Sequence, residues 1–138
     1  MKTPTSLEIE QFAKDFIAYC QLPKTREVRK ALQTNDHPLS YVTNEQSHYI
    51  DYWPHLVLPF IDEVLKRTKD EKIIAYLAAG TLEDLLNKFP EAYIDEIEKR
   101  ARQNSLFRQC LSGVWPSGIS APIFKRISIL TRCGVPEL

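Results

Sequence analysis

Glu83 and Asp84, adjacent carboxylates in the stretch LAAGTLEDLL (77–86), are the first residues whose type suggests chemistry. Two converging carboxylates can pass a proton to a substrate or hold a cation. Neighbours on one helix diverge by about 100°, so such work would need a second acid from another element. The three histidines, His37, His48 and His55, include one seven-residue spacing, which crosses Pro54. Two helical turns is too far for one metal ion on a straight helix. An H-E-x-x-H pattern, a G-x-S-x-G elbow, a phosphate-cradling glycine loop and a dinucleotide fingerprint are all absent from the sequence. Cys20, Cys110 and Cys133 are odd in number, far apart and without a C-x-x-C pair, which argues against a disulfide framework or a zinc knuckle. Free thiols of this kind suit a reducing cytoplasm. These patterns predict a protein that is not an enzyme and carries neither metal nor cofactor. A Cys–His dyad, or Glu83 meeting an acid from another helix, remain arrangements the sequence leaves open.

The elements that must position these residues are helices. The 138 residues are 43% hydrophobic and 26% charged, with only four glycines, a composition for one globular domain over 1–138 and not for a turn-rich sandwich. Thr5 with Glu8 reads as a capping box opening a helix whose stripe is Ile9, Phe12, Ala13, Phe16, Ile17 and Cys20. A short basic helix follows over 24–34, with Val28, Ala31 and Leu32 inward. Thr43 with Gln46 reads as a second capping box, opening a helix that carries Tyr49, Ile50 and Trp53. Pro54 and Pro59 delay the next regular helix to about Pro59, because a proline beyond the first turn removes a hydrogen bond and clashes. It runs to Arg67, and PHLVLP is either a helical turn or an extended strap. The aromatics of HYIDYWPHLVLPF (48–60) read as plugs for the end of a core, with interface anchors as the alternative.

From Asp70 to Phe89 the apolar positions 74, 78, 82, 85 and 89 keep helical phase through Gly80. A kink or a fresh start there stays open, since Thr81 and Asp84 also have capping-box spacing. Glu83 and Asp84 each lie about 130° from the apolar centre, on opposite sides, so both flank the wet face. Pro90 opens a helix with Ile94, Ile97 and Ala101 inward. Ser105 caps another through Ser112, closed by Gly113, and Pro122 opens a last helix closed by Gly134 and Pro136. The expectation is all-α: an irregular, roughly antiparallel array of seven or eight short helices in a single domain. The first residues lack the apolar core of a secretory signal, and no apolar run is long enough to span a bilayer.

Charge is balanced overall, 18 acids against 18 bases, which weakens the case for nucleic acid. It is segregated locally. Residues 83–98 hold six acids and one base, and residues 99–132 hold seven bases and no acid. Asp95–Lys99, Glu96–Arg100 and Glu98–Arg102 have the favourable four-residue spacing for pairing. That leaves Glu83, Asp84 and Glu91 least paired, with Glu96 and Glu98 as outer members of an acidic surface. Arg108, Lys125, Arg126 and Arg132 remain on the basic side.

LAAGTLEDLL and SLFRQCLSGVW (105–115) together resemble a family of small bacterial helical proteins of unknown activity, whose members carry A-A-G-P-L-E-D-L-L and then F-R-x-x-L-x-G-V-W. The resemblance covers about residues 53–115. Matching positions include Gly80, Glu83, Asp84, Arg108, Gly113 and Trp115. Thr81 departs from the family's proline, and capping by threonine can serve the same helix start. The resemblance implies a helical fold, and it suggests that Arg108 returns to Glu83 or Asp84 as an ion pair. Such proteins are similar to immunity proteins encoded beside polymorphic or contact-dependent toxins.

Two functions follow as expectations. The first is a cytoplasmic immunity protein that binds and occludes a cognate toxin domain, a basic nuclease, through Glu83, Asp84, Glu91, Glu96 and Glu98. The second is nucleic-acid binding through the basic 99–132 segment.

Overall fold

The computed structural model describes residues 2–131. Among them every regular element is helical, and there is no strand. Backbone contacts divide the chain into two compact units, Met1–Thr68 and Lys69–Leu138.

The first unit is built on α1 (Ser6–Cys20) and α4 (Val57–Arg67), which pack along one another. The capping box forms: the Glu8 amide donates to Thr5 Oγ1 at 3.2 Å and the Thr5 amide to Glu8 Oε1 at 3.0 Å. Ile9, Phe12, Ala13 and Phe16 are buried, while Ile17 and Cys20 are half-buried. α2 (Arg26–Gln33) starts at its Thr25 cap and contributes no buried residue; Val28, Ala31 and Leu32 are half-buried. α3 (Val42–Tyr52) begins two residues earlier than a Thr43 cap requires, and Tyr41 precedes it with no side-chain cap. Pro54–Leu56 form a single 3-10 turn, so the helical-turn alternative holds and α4 begins at Val57. Pro59 is tolerated because it falls in the first turn, where its missing amide has no partner to lose.

Phe60 is the hub of that core. Its ring lies 4.7 Å from Phe12, 5.6 Å from Phe16 and 5.7 Å from Tyr49. Trp53 stands edge-on to Tyr49 at 5.5 Å. Tyr49, Trp53 and Phe60 therefore plug the core as expected, whereas Tyr52 is exposed. Burial pushes the Tyr49 phenol above its ordinary range, and the carboxylates of Glu45 and Glu8 push the same way.

In the second unit α5 (Glu71–Leu77) and α6 (Glu83–Lys88) are parts of one rod, joined by a π-helical turn over Ala78–Leu82. Gly80 lies inside that turn and is neither a break nor a fresh start. The Glu83 amide reaches Ala78 O, five residues back. The buried positions give the reason: 73–74, 77–78, 81–82 and 85–86 recur every four residues. In an α-helix a four-residue step over-rotates by about 40°, and three such steps drift by about 120°. One extra residue, about 100°, takes up most of that drift, which is what a π turn inserts. Phe89 does not join the stripe; it is 37% exposed, its ring edge-on to Tyr93.

α7 (Pro90–Gln103) buries Ile94, Ile97 and Ala101, as its spacing predicts. α8 (Ser105–Ser112) is capped by Asn104 and not by Ser105: Asn104 Oδ1 accepts from the amides of Leu106 at 2.9 Å and Phe107 at 3.2 Å. α9 (Ala121–Thr131) carries Pro122 in its first turn; the closing Gly134 and Pro136, with Arg132 and Cys133, lie outside the described residues. α7, α8 and α9 pack pairwise, and α8 also lies against α5 and the π turn. Counting α5 to α6 as one rod gives eight helices among the described residues.

Candidate functional site

The place where chemistry-bearing residues meet is the segment after α8, GVWPSGI (113–119). Gly113 ends α8 against Ala78 of the π turn, where an added Cβ would stand 3.0 Å from the Ala78 methyl. Close approach of α8 to the π turn thus rests on Gly113. Val114 and Ile119 turn into the core as the two apolar feet of the segment. Between them, the Trp115 amide donates to Glu83 Oε1 at 2.9 Å and the Ile119 amide closes a turn onto Pro116 O at 3.0 Å. Gly118 has φ +83°, the left-handed region that glycine enters without penalty. It lies so near Asn87 that an added Cβ would come 2.9 Å from Asn87 Oδ1. Glu83 and Asn87 are four residues apart and so share one face of α6. The segment is strapped across that face.

What the strap holds out is the Trp115 ring. Its main chain is fixed on both sides, yet the residue is 69% exposed. Glu83 is half-buried beneath it and acts as an internal acceptor. The tie expected between Arg108 and these acids is replaced by this one. Arg108 Nη1 instead donates to Ala101 O at 2.7 Å, securing the α7–α8 corner. Asp84 is exposed and has an interaction of its own.

The remaining acids divide. Glu91 is exposed, and Glu96 is exposed while pairing with Arg100 at 3.3 Å, as its spacing predicts. Glu98 differs. Its side chain is only 14% exposed and it accepts two bonds from Arg126 of α9, at 3.0 and 2.6 Å. Asp95 accepts a third at 2.7 Å. The Arg126 guanidinium beside Glu98 holds that carboxyl below its usual range, and the two acids raise Arg126 in return. Glu98 therefore ties α7 to α9 and is no outer member of an acidic surface. The basic run changes with it, because Arg100, Arg108 and Arg126 all have intramolecular partners.

A family profile, described as that of a family of unknown function, matches residues 29–133, well over half of the chain. The chain belongs to that family, DUF6869. No curated protein and no solved structure matches it. The DUF6869 match reaches well beyond both ends of the two sequence blocks, from within α2 through the described part of α9.

Within this DUF6869 chain the other reactive groups have structural settings. Cys110 is fully buried, its Sγ directed at Ile74 O at 3.8 Å, and burial pushes its thiol up to about 12. It is a core residue, inert as a nucleophile at neutral pH. Cys20 is half-buried. Among the described residues no group of three His, Cys, Asp or Glu is placed to hold a metal ion. No helix among the described residues is long and apolar enough to cross a membrane. The sequence reading missed Asn87 and Gly118 as partners in the strap. A left-handed glycine within a proline-containing loop was the one available signal.

Proposed function

We propose that this chain is a protein-binding module of the immunity type, recognising and occluding a cognate bacterial toxin domain. The observation that carries the reading is Trp115, an exposed indole on a main chain already fixed at both ends. Such a ring sacrifices little conformational freedom on docking, and aromatic anchors of this kind supply much of the energy of protein interfaces. Asp84, Glu91 and Glu96 are exposed on the same unit. Their charge favours a basic partner, as a nuclease toxin would be, by steering its approach. In this reading Trp115 is the anchor and Glu83 and Glu98 maintain the fold behind it.

The test is co-expression with the product of the gene immediately upstream, followed by purification on a tag carried by one of the two. The expected result is a stoichiometric complex that protects cells from the partner, weakened about a hundredfold by Trp115→Ala, as loss of one central aromatic anchor implies. The reading fails if the neighbouring gene encodes a metabolic enzyme and no toxin domain binds. It fails equally if Trp115→Ala leaves a captured complex unchanged.

A further inference from the structure

α2 is unlike every other helix of the described residues in that it buries nothing. Its composition is nevertheless sharply two-faced. Arg26, Arg29 and Lys30 recur at three- and four-residue spacing and share one face; Val28, Ala31 and Leu32 share the opposite one. The apolar face is half-buried, so the cationic face points to solvent. Arg26, Arg29 and Lys30 make no ion pair or side-chain hydrogen bond within the described residues. Among the bases of α7, α8 and α9, Arg100, Arg108 and Arg126 are engaged, whereas Lys99, Arg102 and Lys125 are not joined to a polar hollow of this kind.

The cationic face continues to Gln33, four residues beyond Arg29, and Gln33 enters the lining of a surface hollow of about 340 Å³. Asn35, Ser40, Thr43 and Asn44 line the same hollow, with Tyr19 and Leu32. None of these groups is charged. Carboxamides and hydroxyls both donate and accept, and apart from Ser40, whose Oγ donates to Ala31 O at 3.3 Å, these polar side chains have no internal partner among the described residues. An anion would find no cation inside the hollow, and a cation no carboxylate. A neutral planar group edged with donors and acceptors matches it, as asparagine and glutamine match base edges and tyrosine a base face.

We infer that α2 and the hollow at its C-terminal end form a binding site for single-stranded nucleic acid, with phosphates along Arg26, Arg29 and Lys30 and one unstacked base in the hollow. The two halves of the site answer to the two halves of a nucleotide. A duplex hides its base edges by pairing, and an acidic peptide or anionic lipid surface has no use for an uncharged, carboxamide-lined hollow. The site lies wholly within the first unit and is independent of the Trp115 reading.

The experiment is fluorescence anisotropy of the full chain with a labelled single strand of about a dozen nucleotides, across a series of salt concentrations. Binding is expected to weaken with salt, each phosphate contact contributing about −0.7 to the logarithmic slope. Arg26→Ala, Arg29→Ala and Lys30→Ala combined should lower affinity at least about tenfold at low salt and reduce the slope by about 2, as three lost contacts imply. Gln33→Ala with Asn44→Ala should weaken binding while leaving the slope unchanged, because those groups meet no phosphate. Circular dichroism verifies that each variant stays helical. Absence of binding at low salt overturns the inference, as does an unchanged slope in the triple variant. Tighter binding of the matching duplex, or equal competition by polyglutamate or by phosphatidylglycerol vesicles, overturns it as well.

Discussion

The two tryptophans sit in opposite regimes. Trp53 is 6% exposed, its ring edge-on to Tyr49 at the end of the α1–α3–α4 core. Trp115 is 69% exposed, and its amide, not its ring, is what the protein holds. In the first unit an aromatic ring anchors the chain, and the backbone passes from α3 through the 3-10 turn around it. In the second unit the backbone is anchored by Glu83, by the Gly118–Asn87 contact and by two buried apolar feet, and the ring is left over. The difference separates a residue retained for stability from one whose exposure needs another purpose. A large exposed apolar group on a fixed scaffold is informative in a way that a buried one is not.

The largest expected effect tests the first half of that contrast. Trp53→Ala should destabilise the protein by about 3–5 kcal/mol, the range for emptying a large aromatic site in a core, in urea unfolding followed by circular dichroism. Trp115→Ala should change stability by about 0.5 kcal/mol or less. Similar losses from both would break the comparison. Iodide quenching sharpens it further: the accessible share of indole emission should vanish in Trp115→Ala and persist in Trp53→Phe.

Next come the contacts that hold the strap. Gly113→Val pushes a branched side chain into Ala78 and should cost about 1–3 kcal/mol, as overpacking does. Gly118→Ala strains a left-handed residue and crowds Asn87, at a cost of about 1–2 kcal/mol. If thermal unfolding shows either substitution to be silent, the segment is not strapped as described.

A smaller effect, of about 1 kcal/mol, is expected for Glu83→Ala, which removes the acceptor from the Trp115 amide. Glu83→Gln keeps an acceptor oxygen and should retain much of that stability. Hydrogen exchange at the Trp115 amide is the direct readout, faster in the alanine variant than in the glutamine one. Equal exchange in wild type and Glu83→Ala would mean that the loop is held without the carboxylate.

The smallest effect concerns pH. The Glu98 carboxyl is depressed in the folded protein by Arg126, so its contribution is present above the unfolded carboxylate range and is lost as pH falls through the folded value. Stability measured by urea unfolding should therefore drop more steeply with acid in the wild type than in Arg126→Ala. Parallel curves would show that the α7–α9 clasp contributes nothing measurable.

Much of the helical framework was legible because its signals are local. The Thr5–Glu8 box, the α1 stripe and Pro90 at the start of α7 each depend on residues within one or two turns. The near misses were also local competitions: Asn104 captures the cap one residue before Ser105, and α3 starts before Thr43. Ion pairing was legible only in part. Glu96–Arg100 follows the four-residue rule, but Asp95 and Glu98 turn from their sequence neighbours to Arg126, whose planar fork grips two oxygens at once across a helix interface. The candidate site was least legible, since Glu83 and Trp115 are 32 residues apart and meet only when α8 has docked on the π turn.

By itself, the sequence determined that the described chain is helical, where most of its helices start and which faces are apolar, because hydrogen bonding and amphipathic period within a helix are short-range. Tertiary structure decided which glutamate is an internal acceptor, which acids remain on the surface, and which tryptophan meets solvent. Those outcomes depend on what lies opposite each side chain after packing, and the energy that selects the partner exists only once the helices are in contact.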